Sequence, residues 1–340
     1  GYTVVQIGVG TSPVSNLNNV KTITISDVIE TIASNAFCWY TNIENITFPT
    51  TLTSLESEAL TGCTNLKNLD LSNTAITSTS GIFSGYSFIE SIKLPNSMTQ
   101  LDGGALYGCT SVKNVDLSNT KITTVSGGAF SGCSSLESVT FPTTVTILQS
   151  GAFSGCTNLK NLDLSNTAIT SIPAGMFSGL SQLESVKLPN GITELHGGTF
   201  SGCSALTSLD LSNTKITTIY GGVFGGCSSL ESIIFPETVT TLQSGALSGA
   251  TGLKTVDLSN TSVTTIGGGA FGGCSSLESV DLPNDLTTVE GGAFSSCTSL
   301  TSINVEEDNE NYCSVDGVLY NEDITELICW PGGKTNVVLP

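Results

Sequence analysis

The side chains in this sequence that could do chemistry recur on a fixed beat. Cysteines stand at Cys38, Cys63, Cys109, Cys133, Cys156, Cys203, Cys227, Cys274 and Cys297, nearly all in a Gly-Cys step, while Tyr86, Leu180 and Ala250 take the same place elsewhere. A thiol can be a nucleophile, a metal ligand or half a disulfide, but each role needs a particular neighbour. There is no Cys-x-x-Cys pair to hold a metal. Units one strand spacing apart would hold these Cβ atoms ~4.8 Å from one another, wider than the ~3.8 Å a disulfide prefers. A position that also accepts Tyr, Leu and Ala asks for an uncharged core filler, so the column reads as buried free thiols. Cys313 and Cys329 lie outside it and are a candidate disulfide, facing each other across a hairpin. With 11 cysteines, at least one thiol is unpaired within the chain, and cysteine usage leaves the redox compartment open.

The carboxylates repeat in the same way. One column runs Asp70, Lys93, Asp116, Thr140, Asp163, Lys187, Asp210, Ile234, Asp257, Asp281, and a second alternates Glu90, Lys113, Glu137, Lys160. Acid–base catalysis needs one convergent cluster with shifted pKa values, not pairs strung along a chain. Alternation lets opposite charges neighbour each other on adjacent strands, although duplication of a two-unit cassette accounts for it as well. The single histidine, His196, shares a variable position with Tyr220 and has no placed Ser or Cys partner for a triad. The threonines that recur once per unit read as a hydroxyl ladder. The acids of "VEEDNENYCSVDG" do not match the twelve-residue EF-hand spacing and read as a solvated hairpin. No cofactor or metal site emerges. Asn45 and Asn260 head formal glycosylation sequons.

What positions these residues is the repeat itself. "NLKNLDLSNT" at 65–74 returns unchanged at 158–167, and between such phrases sit "LESVTFPTTVT" at 136–146 and "LESVKLPNGIT" at 183–193. The unit is 23 or 24 residues in two alternating flavours, and L-x-x-L-x-L at that period is a leucine-rich-repeat signature. One such unit cannot bury its own apolar residues, so neighbours must stack. Leu66, Leu69 and Leu71 point inward and Asn68 and Asp70 outward, the alternation of a short strand. Strand centres fall at 23, 46, 69, 92, 115, 139, 162, 186, 209, 233, 256, 280 and 303, with a proline closing the strand in the second flavour. Thirteen strands at ~4.8 Å spacing give a rod or arc roughly 60 Å long.

The run "LPNGITELHGGTFSGCSAL" resembles the repeat of BspA-like leucine-rich surface proteins, and the tail "NENYCSVDGVLYNEDITELICWPGGKTNVVLP" is similar to the hairpin segment that interrupts such arrays. The DLSNT flavour departs from that family phrase. The expected fold is a β-rich solenoid, a leucine-rich-repeat right-handed superhelix with a continuous parallel sheet over 1–305. An acidic hairpin segment follows at 306–334, and a further repeat starts at 335–340. The open ends at Gly1 and Pro340 read as those of a mature or excised piece.

Charge narrows the partners. With 29 acids against 10 Lys+Arg, no arginine, and a net charge of −19, the chain lacks the basic footprint that nucleic acid or an anionic membrane requires. No apolar run reaches the ~20 residues of a membrane span. The resemblance implies a non-enzymatic, secreted or cell-surface interaction module, adhering to host matrix proteins or other cells. The alternative is a structural module of an extracellular coat or filament, by self-association. Contact candidates are places where a column breaks its pattern: Thr140, Ile234, Tyr220, His196 and the aromatic pair Trp39-Tyr40.

Overall fold

In the computed structural model, residues 20–79 and 81–335 are described. Two compact units divide between Ala168 and Ile169. Each is a coil of short parallel strands, with no helix among the described residues.

In the first unit the long ladder comprises β1 (Thr22–Thr24), β2 (Asn45–Thr47), β3 (Asn68–Asp70), β4 (Ser91–Lys93), β5 (Asn114–Asp116), β6 (Ser138–Thr140) and β7 (Asn161–Asp163). β1 pairs with β2, and β3 to β7 pair in parallel register. The second unit continues the series with β8 (Ser185–Lys187), β9 (Ser208–Asp210), β10 (Ser232–Ile234), β11 (Thr255–Asp257), β12 (Ser279–Leu282) and β13 (Ser302–Val305). Here β9 pairs with β10, and β11, β12 and β13 pair in turn. All thirteen strands lie on the positions that the repeat dictates.

A second parallel ladder escapes the sequence reading. Two-residue strands recur in most turns, among them Thr124–Val125 and Ile147–Leu148 in the first unit. In the second unit six of them, from Ser171–Ile172 to Thr288–Val289, form one sheet. Two residues are too few to show a period of two, so only their apolar member was visible.

Between the ladders each turn packs one large side chain against its neighbour. Phe130 stacks on Phe153 at 5.3 Å in the first unit; Phe200 stacks on Phe224 at 5.8 Å and Phe271 on Phe294 at 5.2 Å in the second.

The two flavours differ in how they turn. After β5, Asp116 Oδ1 accepts from the Ser118 amide at 2.9 Å, and the buried Thr120 hydroxyl donates to the Leu117 carbonyl at 2.7 Å. This is an Asx turn closed by its own side chains, and β9 and β11 end likewise through Asp210 and Asp257. The proline flavour closes instead on the Pro142 carbonyl, which accepts from Val145 N. Its hydroxyl reaches back one turn: Thr144 Oγ1 donates to Ile122 O at 2.6 Å, and Thr238 Oγ1 to Ile216 O at 2.7 Å. The Ile122 and Ile216 carbonyls left by self-closed turns are thus satisfied by a hydroxyl of the next turn. From 115 onward the DLSNT flavour is also one residue longer: strand centres 115 and 139 lie 24 apart, 139 and 162 only 23.

At the C-terminal end of the second unit the expected hairpin is a three-stranded antiparallel meander, β14 (Tyr312–Val315), β15 (Val318–Asn321) and β16 (Leu327–Cys329). The segment before it is not merely solvated. Asn309 is buried; its Nδ2 donates to the carbonyls of Pro283, Asn284 and Leu286 at 2.8–3.1 Å, and its Oδ1 accepts from Asn311 N and Tyr312 N at 2.8 Å. The expected further repeat at 335–340 lies, beyond residue 335, outside the described residues.

Asn309→Ala is expected to cost about 3 kcal/mol, because several buried backbone groups lose their partner together. Thr214→Val, which removes one of two bonds to the Leu211 carbonyl, is expected to cost about 1 kcal/mol. Urea unfolding of the two variants checks the order; equal or reversed losses contradict the assigned roles.

Candidate protein-binding surface

Each long strand buries its central side chain and turns the flanking two outward, so the outer face is set by two columns of residues. In the first unit three ion pairs lie on this face. Lys93 reaches Asp70 at 3.1 Å, Lys67 reaches Glu90 at 3.6 Å, and Lys21 reaches Glu44 at 2.7 Å. Burial acts upward on the Asp70 carboxyl, but the Ser72 hydroxyl and amide and Lys93 together hold it below the usual carboxylate range. These pairs are exposed, so they fix register more than they stabilise. Thr140 is exposed between Asp116 and Asp163, in register with both.

The second unit is different. Its column reads Lys187, Asp210, Ile234, Asp257, Asp281, Asn304, with no lysine after Lys187. Ile234 is 55% exposed and pairs in register with Asp210. Asp257 and Asp281 face each other in register, and Asp281 accepts from Asn304 Nδ2 at 2.7 Å. The nearby lysine, Lys254, is taken by Glu231 at 2.8 Å.

His196 and Tyr220 come together, but on the short ladder, away from the strands that carry Ile234. Their rings are 5.8 Å apart and tilted by 33°. His196 Nε2 lies 3.3 Å from both Ser171 Oγ and Glu194 Oε2. A triad needs the serine and the carboxylate on opposite ring nitrogens. Here both crowd Nε2, so the arrangement holds the ring and cannot relay a proton through it. The sequence suggested a loop residue; the ring is half-buried.

Trp39 is the oddest of the candidates. Its φ is +66°, at the place where later turns put the left-handed glycines Gly85, Gly108 and Gly132. Its amide donates to Thr61 O at 2.7 Å, yet the residue is 71% exposed. A Cβ on Gly62 would sit 2.5 Å from the indole, so Gly62 is what admits the ring. A bulky residue in this conformation is strained, and such strain persists where it serves a purpose. Tyr40 is half-buried and takes the column position of Cys63, as the matching amide bonds to Phe37 O and Leu60 O show. Cys38, read as a column member, therefore sits two residues off it.

The eight column thiols are buried and free. Each donates to a carbonyl of the preceding turn, as Cys109 Sγ does to Phe83 O at 3.1 Å and Cys227 Sγ to Phe200 O at 3.1 Å. Burial pushes Cys109, Cys203, Cys227 and Cys274 up to about 12, so none is a nucleophile at neutral pH. Tyr86, in the same column, accepts from Leu60 N at 3.1 Å. The expected Cys313–Cys329 bridge does not form. Cys313 on β14 and Cys329 on β16 flank β15, so two strand spacings separate them, and both are free. Among the described residues no group of three His, Cys, Asp or Glu is placed to hold a metal. Among the described residues no helix is long and apolar enough to cross a membrane. Asn45 and Asn260 are both exposed.

The BspA type leucine rich repeat region matches at residues 10–126, 104–219 and 198–315, in six copies. The chain belongs to that family. BspA-type repeats are typically non-enzymatic modules for protein interaction, and this protein is a leucine-rich-repeat protein. It is similar to a leucine-rich repeat protein from Bacteroides ovatus, at 25% identity and a TM-score of 0.66 over 86% of this chain and 80% of that one. It also resembles a leucine rich cell surface protein from Faecalibacterium prausnitzii (22% identity, TM-score 0.38, 85% and 88% covered). A third likeness is to the pneumococcal vaccine antigen PcpA (19%, 0.39, 85% and 70%). No curated protein matches the sequence.

Alkylation of the native BspA-type chain at pH 8 is expected to mark Cys38 and Cys313 first and the column thiols only after unfolding. Early labelling of Cys133 or Cys203, read by peptide mapping, would show that the column is open.

Proposed function

We propose that this protein is a secreted or cell-surface module that binds proteins, adhering to matrix proteins or other cells through the outer faces of its ladders. The observation that carries this reading is Ile234, an exposed apolar side chain on a stiff strand ladder, with Asp210 beside it in register and Asp257 at the same place in the next turn. Binding energy at interfaces concentrates in a few desolvated apolar or aromatic anchors surrounded by polar groups. A ladder offers them without a pocket, and exposed Trp39 is a second such anchor in the first unit. Charge describes the partner further. Residues 169–340 carry eighteen acids against four lysines, residues 1–168 eleven against six. A partner segment that sets an apolar side chain on Ile234 and flanks it with Lys or Arg fits the second unit's face, by complementarity. The family resemblance supports an extracellular or cell-surface location.

A structural reading stands second. Near-identical turns that pair in register within a chain can pair in the same register between chains, which would make a coat or filament. Light scattering across concentration separates the two: adhesion predicts a monodisperse species, a filament predicts growth with concentration.

Binding to a panel of purified extracellular-matrix proteins tests the first reading. Ile234→Ser is expected to weaken the interaction roughly tenfold, ~1.4 kcal/mol, and added salt to slow association. Unchanged affinity in Ile234→Ser would remove this face from the interaction.

A further inference from the structure

The tail cysteine that loses its expected partner has another. Between the last glycine-rich turn and β16 lies a cleft of about 320 Å³, lined by Val289, Phe294, Cys297, Ile328, Cys329 and Trp330 among others. We propose that Cys297 and Cys329 are the oxidisable pair of this protein, and that their disulfide fastens the C-terminal meander to the solenoid.

Several observations single out this pair. The backbone beyond Cys329 already lies against the Cys297 turn: Gly333 N donates to Leu300 O at 2.8 Å, and a Cβ on Gly332 would stand 2.7 Å from Cys297 O. Cys297 is the last thiol of its column, and the sequence supplies no cysteine at that place in a following turn. Cys329 comes in from the meander instead. Burial raises the Cys297 thiol, and the charge of a Cys329 thiolate raises it further, as neighbouring thiolates do within the column.

The competing pairs are held apart. Column neighbours are one strand spacing apart, ~4.8 Å, each tied to a carbonyl of the turn before, and both backbones sit in ladders that resist closing. Cys313 lies two spacings from Cys329. Cys329 is half-exposed, borders the cleft, and has a 3.8 Å contact from its sulfur to Trp330 O.

The chemistry needs a disulfide oxidant, for which glutathione disulfide serves. The Cys329 thiolate attacks one sulfur of the oxidant, forming a mixed disulfide and releasing one glutathione thiolate, which takes up a proton. The Cys297 sulfur, after losing its proton, displaces the second glutathione and forms the Cys297–Cys329 bond. Two protein thiols lose two protons and two electrons, and one glutathione disulfide becomes two glutathiones. Both protein thiols are pushed up to about 11. The reaction is therefore slow near pH 7 and quickens by roughly tenfold per pH unit up to pH 9, following the thiolate fraction.

The test is a disulfide map of the full chain after incubation with glutathione disulfide at pH 8.5, with acid quenching and alkylation before and after reduction. The expected product is a peptide joining Cys297 to Cys329, formed equally in Cys313→Ser. Cys297→Ala, which the column tolerates as it does Ala250, should instead stop at a glutathione adduct on Cys329. Amide exchange of β14 and β15 should slow about tenfold on oxidation of the unmodified chain. A Cys313–Cys329 peptide, a column pair, or a glutathione adduct on Cys329 that persists with Cys297 present would each overturn the proposal.

Discussion

Every turn of this protein is completed by the turn before it. The thiol of Cys227 is bonded to Phe200 O, the hydroxyl of Thr238 to Ile216 O, and that of Thr240 to Thr217 O, each one turn back. Apolar residues could bury themselves in many arrangements, but a buried donor must find its acceptor at hydrogen-bond distance. The polar set therefore fixes the register, and the leucines and phenylalanines fill the space it leaves. That a thiol does this at eight positions explains why the column favours cysteine. It is small and apolar enough for the core, yet its S–H can still donate weakly to a carbonyl.

The same constraint decided what could be read in advance. The long strands were legible to the residue because Leu66, Leu69 and Leu71 and their equivalents carry an unambiguous alternation. The columns of residue types were legible too, including the thiols as core. The direction of each hydrogen bond was not. Asp70 and Asp116 looked like partners for lysine on the strand face; chiefly they close turns onto Ser72 and Ser118, with Lys93 as an added exposed partner. Asn309 looked like one more polar residue in an acidic loop. Its five-bond hub is set by carbonyls of residues 283–286, far away in sequence, and no local pattern announces it. Cys313 and Cys329 were expected to face each other across a hairpin; with three strands they flank β15 instead.

Of the surface candidates, the structure separates two kinds. His196 and Tyr220 support each other, and their irregular column is explained by that contact. Ile234 and Trp39 have no such account: one is apolar on a polar strand face, the other holds a backbone conformation that glycine holds elsewhere. Trp39 carries a backbone cost that glycine avoids elsewhere in its column. The column thiols and the strand carboxylates recur along the coil, while a further set of acids gathers at 306–326.

The claim that the turns are locked by neutral, buried thiols is tested most directly by stability against pH. In the unfolded chain these thiols ionise near the ordinary value of 9.0; folded, burial holds Cys133 and Cys297 to about 11 and Cys109, Cys203, Cys227 and Cys274 to about 12. Between those values the unfolded chain binds fewer protons than the folded one, so the stabilisation is complete below pH 9 and is lost as pH climbs towards 11 and 12. Urea midpoints of the reduced chain at pH 7.5, 8.5, 9.5 and 10.5 should be level at first and then fall steeply, and the fall should flatten when column cysteines are replaced by alanine. A midpoint that stays level to pH 10.5, or falls just as steeply without the cysteines, would contradict the account.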